Sequence, residues 1–507
     1  MTGGIHHVTA ITRSVQKNVD FYAGFLGLRL VKQTGGFEDA EQLHLFYGDA
    51  AGSPGSIVTF LVWEAGSPGR TGLGQVSEIA FAVPPASIGD WLQRALAGHV
   101  PVEGPAREFG EPVLRLKDPD GLIVKLVGLD LPAVAPLPDP IAPGRIRSVT
   151  ILTDSPGLTA GFAARFGYRA GPREGNIRRL LGNTDAVDIR DATGYFPGIP
   201  GTGIFDHVAF RAGGADAVRR IRRDLRDAEG ITQVHDRKYF LSLYVREPAG
   251  TLFEFATDAP GFAVDETPEH LGETLMIPPH DSERGDDLRL MLPQFARPGE
   301  DRMPARDLPF VHRFHVPPAP DGSVIVLLHG TGGNEADLMP LAARVNPHAT
   351  LLGVRGRSTE EGSNRWFRRR GAGAYDQADI RGEAAAFAAF VDGAVRGYGL
   401  DRDRLTFLGY SNGANLLGAA LQLHPGIVRR AILLRGLQVL DQAPETDLTG
   451  TRILLVSGMR DPFGQLAGTL ENSLKRRGAA LDTRRLDSGH ELSGGDSSAA
   501  RDWLNTA

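Results

Sequence analysis

The chain has 507 residues, 41% of them hydrophobic and 23% charged, a size and composition that suit roughly two to four ordinary globular domains. A net charge of −6 provides no basic surface for nucleic acid or an anionic membrane, and the absence of cysteine excludes disulfides, thiolate metal ligands and a cysteine nucleophile. The opening MTGGIHHVTAIT lacks a basic segment followed by an apolar core, and the longest apolar runs have strand length. Neither a signal peptide nor a membrane span is therefore expected, and the location read from the sequence is cytoplasmic.

The first half repeats itself. GQVSEIAFAVPPASIGDWLQRAL reads as a strand, a turn and an amphipathic helix, and FDHVAFRAGGADAVRRIRRDL follows the same plan. KDPDGLIVKLVG and REPAGTLFEFAT form a matched turn and strand, and GIHHVTAITRSVQKNVDFYAGFLG matches RIRSVTILTDSPGLTAGFAARFG. Four βαβββ units are predicted, starting near residues 4, 75, 145 and 204. Units one and two fall in residues 1–130, and units three and four in 145–257, with proline-rich LDLPAVAPLPDPIAPG between the pairs. A second proline-rich stretch, 258–321, reads as a linker or arm. From 322 to 507 the apolar runs SVIVLLHG, TLLGVRG, LTFLGYS, AILLRG and RILLVSG alternate with helical segments. That pattern predicts a mostly parallel, doubly wound sheet covered by helices.

The four-unit pattern over residues 4–257 resembles the vicinal-oxygen-chelate superfamily, and within it the Fe(II)-dependent hydroquinone ring-cleaving dioxygenases. The resemblance implies a metal held by His7 in GIHHVT, His207 in FDHVAF and Glu254 in TLFEFA, with Fe(II) as the ion and Mn(II) as the alternative. The residues agree with it. His7, Thr9 and Ile11 share a strand face, His207 shares one with the small Ala209, and a carboxylate between Phe253 and Phe255 is costly unless paired or bound to a cation. Two imidazoles and one carboxylate suit a ferrous ion with open positions for O₂ and a phenolic oxygen. The other units supply a control: Ser148, Glu78 and Lys125 align with His7, His207 and Glu254, and Thr59 holds the remaining position in unit one.

The same resemblance carries over Thr9, Arg237 and Tyr244 as residues facing the substrate. Arg237 would neutralise a phenolate and Tyr244 would donate a hydrogen bond to oxygen. The family has two consecutive histidines in unit four, and here the first is Asp206, a substrate-side acceptor that puts hydroquinone specificity in question. His6 is expected to face away from His7.

In the second half, G-x-S-x-G appears as Gly409, Tyr410, Ser411, Asn412 and Gly413 between a predicted strand and helix, the context of a serine nucleophile elbow. VIVLLHGTGGN ends a strand in a glycine-rich loop, so amides of Thr331 and Asn412 are the expected oxyanion hole. Chain order then selects Asp461 after RILLVSGMR and His490 in DSGHEL, with Asp487 and Asp441 as competitors for the acid. HGTGGN, NRWFRRR…YDQADI and GYSNG resemble the phospholipase/carboxylesterase family over 322–505. That likeness sets Trp366, Phe367 and the neighbouring arginines at the border of an acyl pocket.

The expected partners are a small aromatic substrate with O₂ and an ester or thioester substrate, without nucleic acid or membrane, and a homo-oligomer is compatible. The alternatives for the first half are a glyoxalase-like metal-dependent lyase or isomerase, for which Thr59 is a poor fourth ligand, and a quinone-binding resistance module beside an active esterase.

Overall fold

The computed structural model describes residues 3–132, 134–228, 230–302, 304, 306–371 and 374–506, with the backbone alone at 465 and 466. The chain forms two compact units, Met1–Leu288 with Leu292–Arg302, and Arg289–Met291 with Met303–Ala507.

The first unit holds the four expected modules. The first runs β1 (Ile5–Thr12), α1 (Val15–Val19), β2 (Arg29–Gly35), β3 (Leu43–Gly48) and β4 (Ile57–Val62). The second is β5 (Gln75–Val83), α2 (Ile88–Ala97), β6 (Val102–Glu108), β7 (Glu111–Lys117) and β8 (Ile123–Gly128). The third is β9 (Arg145–Thr153), α3 (Pro156–Ala164), β10 (Arg169–Glu174), β11 (Ile177–Leu181) and β12 (Ala186–Asp191). The fourth is β13 (Ile204–Ala212), α4 (Ala215–Asp224), β14 (His235–Asp236), β15 (Phe240–Arg246) and β16 (Leu252–Pro260).

Modules pair across the chain rather than along it. One sheet runs β14-β15-β16-β13-β1-β4-β3-β2, joining the fourth module to the first, and the other runs β10-β11-β12-β9-β5-β8-β7-β6, joining the third to the second. Residues 258–288 and 292–302, within the stretch read as linker or arm, belong to this unit, and β17 (Leu275–Met276) extends the first sheet beside β2.

Strand alternation sets up the site. Val58, Val8, Val208 and Phe253 are register partners across β4, β1, β13 and β16, and all lie in the hydrophobic core. Their neighbours Thr59, Thr9, His207 and Glu254 project to the opposite face. α2 buries Ile88, Trp91 and Ala95, spaced as one helix stripe.

α5 (Gly285–Met291) has Gly285–Leu288 in the first unit and Arg289–Met291 in the second, whose sheet runs β18 (His312–His315), β20 (Thr350–Val354), β19 (Val324–Leu328), β25 (Leu405–Tyr410), β26 (Arg430–Leu434), β27 (Arg452–Gly458) and β28 (Ala480–Leu486). Only β18 is antiparallel to its neighbour. Two short hairpins stand apart, β21 (Ser358–Glu360) with β22 (Ser363–Arg365), and β23 (Arg369–Gly371) with β24 (Ala374–Tyr375). Both sheet faces are dry: Val324, Val326 and Leu328 join one core, and Ile325 and Leu327 another. The covering helices are α6 (Met339–Val345), α7 (Gln377–Tyr398), α8 (Asn412–Leu423), α9 (Gly464–Arg476) and α10 (Gly494–Asn505). α7 starts where Asp376 accepts hydrogen bonds from the amides of Ala378 and Asp379. No helix among the described residues is long and apolar enough to cross a membrane.

Candidate functional sites

Ala209 on β13 pairs with His7 on one side and Glu254 on the other, while His207 pairs with Thr9. Three strands thus aim two imidazoles and a carboxylate at one point. His7 Nε2 lies 3.0 Å and His207 Nε2 2.8 Å from Glu254 Oε2, and these three form the only such group of potential ligands among the described residues. His207 Nε2 and Glu254 Oε2 are buried and, although close, lack the alignment of a hydrogen bond, so both polar atoms face the same gap without a partner. Buried polar atoms left this way are expensive unless a ligand satisfies them, and the donor set fits a divalent transition ion.

The surrounding groups orient these three. His207 Nδ1 hydrogen-bonds Asp206 Oδ2 at 2.6 Å, and Ser242 Oγ donates to Glu254 Oε1. Asp206, expected as a substrate-side acceptor, thus has one oxygen committed to His207. His6 Nδ1 and His7 Nδ1 lie 2.9 Å apart, contrary to the expectation that His6 faces away. The register of β1 against β13 shifts between Ile5 and His7, and such an irregularity breaks the strict alternation of faces. Thr9 accepts a hydrogen bond from Thr59, whose hydroxyl also meets His44 Nε2 at 2.9 Å.

Charge follows from this packing. Burial alone would depress His207, but Asp206 and Glu254 outweigh it and hold its pKa at about 9. Burial would raise Glu254, yet His7 and His207 keep it well below the usual carboxylate range. His6 and His44 are each pushed down to about 3 by burial and by His7, so both are neutral.

A cavity of about 290 Å³ opens over the three residues. Arg237 and Tyr244 line it, Tyr244 opposite Glu254 across the β15–β16 pair. Burial and Glu254 raise the Tyr244 pKa, so it stays a protonated donor. Sequence reading missed Phe37, Glu38, His44 and Phe240 in the lining. Glu38 Oε1 pairs with Arg237 at 2.6 Å. FEDAEQLH carries no motif, and only the position of His44 on the first module's inward strand could have flagged it.

An Asp206→Asn chain is expected to bind a divalent transition ion offered to the His7, His207 and Glu254 group about 10–100-fold more weakly than wild type, with an unchanged fold, because the carboxylate that orients and polarises His207 is lost. Competition with a chelator measures this, and wild-type affinity would rule out the orienting role.

The second sheet holds the same register with other chemistry. Ala80 pairs with Ser148 and Lys125 as Ala209 pairs with His7 and Glu254. There Lys125 Nζ lies 2.9 Å from Glu78 Oε2 and 3.1 Å from Glu108 Oε2. An ammonium fills the place of an ion. Burial opposes the charge on Glu78, yet Lys125 and Arg190 hold its pKa down at about 2.

In the second unit Ser411 sits between β25 and α8 at φ 50° and ψ −112°. Its elbow needs small neighbours. A Cβ on Gly409 would meet Ala414 N at 2.7 Å, and one on Gly413 would meet Leu328 O at 2.2 Å. Ser411 Oγ lies 2.9 Å from His490 Nε2, and His490 Nδ1 lies 2.9 Å from Asp461 Oδ2. The competitors are elsewhere engaged: Asp487 pairs with Arg460, and Asp441 lies on the surface beside Gln377.

Thr331 is exposed in the turn after β19, and Asn412 opens α8. A Cβ on neighbouring Gly330 would come within 3.7 Å of Ser411 Cβ, so this turn flanks the nucleophile. Trp366 and Phe367, expected at the border of an acyl pocket, are wholly buried in the core. Trp366 braces the elbow, donating through its backbone to Asn412 Oδ1 at 2.8 Å and through Nε1 to His329 O at 2.9 Å. The adjacent arginines pair with acids: Arg368 with Asp379, Arg369 with Glu360 and Arg370 with Asp376.

Residues 4–126 match the Glyoxalase/Bleomycin resistance protein/Dioxygenase superfamily. MhqO of Bacillus subtilis (strain 168), named as a ring-cleaving dioxygenase, is 38% identical over 287 residues, covering 55% of this chain and 91% of that protein. A chlorohydroquinone/hydroquinone 1,2-dioxygenase of Sphingobium indicum is 31% identical over 295 residues, covering 54% of this chain and 91% of that protein. MhqD of Bacillus subtilis (strain 168), named as a hydrolase, is 33% identical over 187 residues, covering 36% of this chain and 94% of that protein.

Proposed function

The chain belongs to the ring-cleaving dioxygenase family of the glyoxalase superfamily in its first part and joins to it an α/β-hydrolase related to MhqD, and from that premise we propose that it opens quinol-type aromatic rings with Fe(II) and O₂ and hydrolyses an ester, thioester or ring-fission product at Ser411. The observation that carries the first activity is the convergence of His7, His207 and Glu254 at the base of a cavity, with buried polar atoms of His207 and Glu254 lacking partners.

In this reading His7, His207 and Glu254 hold the metal. When bound, the metal supplies a common site for O₂ and a phenolic oxygen and passes electron density between them, which side chains alone cannot do. The chain does the rest. Phe37 and Phe240 enclose the ring and keep water away from it. The Arg237 guanidinium stabilises negative charge on a ring oxygen, with Glu38 giving way or sharing the pair. Tyr244, held protonated, donates a hydrogen bond into the cavity. Asp206 keeps His207 turned towards Glu254. A lyase or isomerase of the glyoxalase kind draws no support here, because Thr59 is buried and tied to Thr9 and His44.

For the hydrolase, His490 takes the Ser411 proton as Oγ attacks a carbonyl, and Asp461 stabilises the resulting imidazolium. Amides of Thr331 and Asn412 would receive the oxyanion. His490 then protonates the leaving group, and water releases the acyl group by the same route.

Anaerobic loading with Fe(II), followed by oxygen uptake and product analysis on a panel of quinols and catechols, tests the first activity. Uptake matched by a ring-opened product is the expected result. A loaded chain that binds quinols without consuming O₂ would replace catalysis with sequestration.

A further inference from the structure

Beyond the triad, we propose that Arg435 is a positioning residue that holds His490 against Ser411, an inference that rests on the hydrolase reading above. Arg435 follows the last residue of β26, where two parts of the site meet. The carbonyl of Leu434 accepts the Ser411 amide at 2.8 Å, which ties the elbow to the strand end. At the next residue the backbone turns left-handed, with φ 56°, while the Arg435 amide donates to Val456 O at 2.8 Å. A non-glycine residue at such a φ is strained, and the strain persists where the surroundings overdetermine it.

Here the side chain does the determining. The Arg435 and Asp496 side chains are both 0% exposed and form a bidentate pair, Nη1 to Oδ1 at 2.7 Å and Nη2 to Oδ2 at 3.1 Å. The remaining donors reach into the segment between β28 and α10. Nε donates to Gly489 O at 3.1 Å, and Nη2 donates to Ser488 Oγ at 3.0 Å and Glu491 O at 3.1 Å. These three acceptors flank His490. Asp496 anchors the far end, accepting from Ser493 N at 2.8 Å and Ser493 Oγ at 3.0 Å at the start of α10.

The DSGHE segment has no apolar side chain to bury, so polar contacts must fix it. Tyr410 Oη to His490 O at 3.1 Å and Arg460 N to Ser488 O at 3.0 Å add to the guanidinium contacts. A buried ion pair is weak evidence for stability, since apolar residues of similar volume often stabilise as well. What such residues could not do is bind two loop carbonyls and a hydroxyl around the general base. A planar fork with five donors can, and lysine cannot reproduce it.

The test uses the full chain with p-nitrophenyl acetate, and stoichiometric labelling by a fluorophosphonate counts competent sites. Arg435→Lys keeps a charge beside Asp496 but cannot span all three loop acceptors. Arg435→Met with Asp496→Leu removes both buried charges, so the variant is not left with an orphan. In the double variant kcat per labelled site is expected to fall about a hundredfold, as for displacement of a reacting group by about 1 Å, and in Arg435→Lys to fall by less. KM is expected to hold, and the labelling rate to drop in step with kcat. Arg435→Lys should retain more activity than the double variant. Fewer labelled sites, each with normal kcat, would overturn the proposal and leave Arg435 a purely structural role. Ser411→Ala run alongside separates the two ideas: if that chain still turns over the ester, the hydrolase reading fails, whatever Arg435 does.

Discussion

On the proposed reading, a Glu254→Ala chain is expected to lose ring cleavage outright and to bind Fe(II) at least about a hundredfold more weakly, since loss of a ligand costs more than loss of a group that only orients one. Glu254 is the only anion of the three converging residues, it is wholly buried, and its Oε2 is the atom both imidazoles approach. Without it two neutral imidazoles would hold a doubly charged ion in a poorly solvating interior. Glu254→Gln refines the test. It keeps the shape and an acceptor for Ser242 Oγ but not the charge, so it should resemble alanine in metal affinity rather than wild type. Iron content after reconstitution and oxygen uptake read the loss. Metal-dependent stabilisation against denaturant, which should vanish in both variants, gives a readout independent of turnover. Near-ultraviolet circular dichroism of the metal-free variants, expected to match the metal-free wild type, reports that the first unit has folded. Normal iron content and uptake in Glu254→Ala would remove the metal site from these three residues.

How far the sequence discloses this site depends on how local each feature is. Strand alternation and repeat alignment are local, and they group His7 with Thr9 on one face and set Lys125 in register with Glu254, but the choice of His7, His207 and Glu254 as a set comes from the family resemblance. The elbow is local too, since Gly409 and Gly413 are demanded by the close approach of Ala414 and Leu328. Chain order then finds Asp461 and His490 without any contact information. What escapes is cooperative. That β1 lies beside β13 rather than in a sheet with the second module is a long-range pairing with no local signal. Strict alternation places His6 outward, and only the register shift after Ile5 overrides it. Glu38 reaches Arg237 from a loop of another module. Trp366 reads as a pocket residue from its arginine-rich neighbours, yet its indole satisfies a buried carbonyl at the elbow. Arg435 looks like one more charge at a strand end until the fold closes on it.

Ser411→Ala is expected to reduce p-nitrophenyl acetate turnover by about 10⁶-fold, leaving what the oxyanion hole and binding retain over water. The size follows from geometry already assembled before substrate arrives. The hydroxyl, imidazole and carboxylate are linked by two contacts of 2.9 Å each, and the Asp461 side chain is only 3% exposed. Alanine removes the nucleophile without relieving the backbone, since a Cβ at φ 50° is strained in either residue. His490→Ala should cost about as much as the serine, because neither works alone. Asp461→Asn should fall short of both, at about 10⁴-fold, because the imidazole remains but its tautomer is no longer enforced. Oxygen uptake with a quinol should be unaltered in all three, because none lies near the residues that would hold the metal along the chain or in its own unit. Full ester turnover in Ser411→Ala would discard the serine mechanism, and loss of oxygen uptake in the same chain would show that the two activities are not separable by residue as they are by fold.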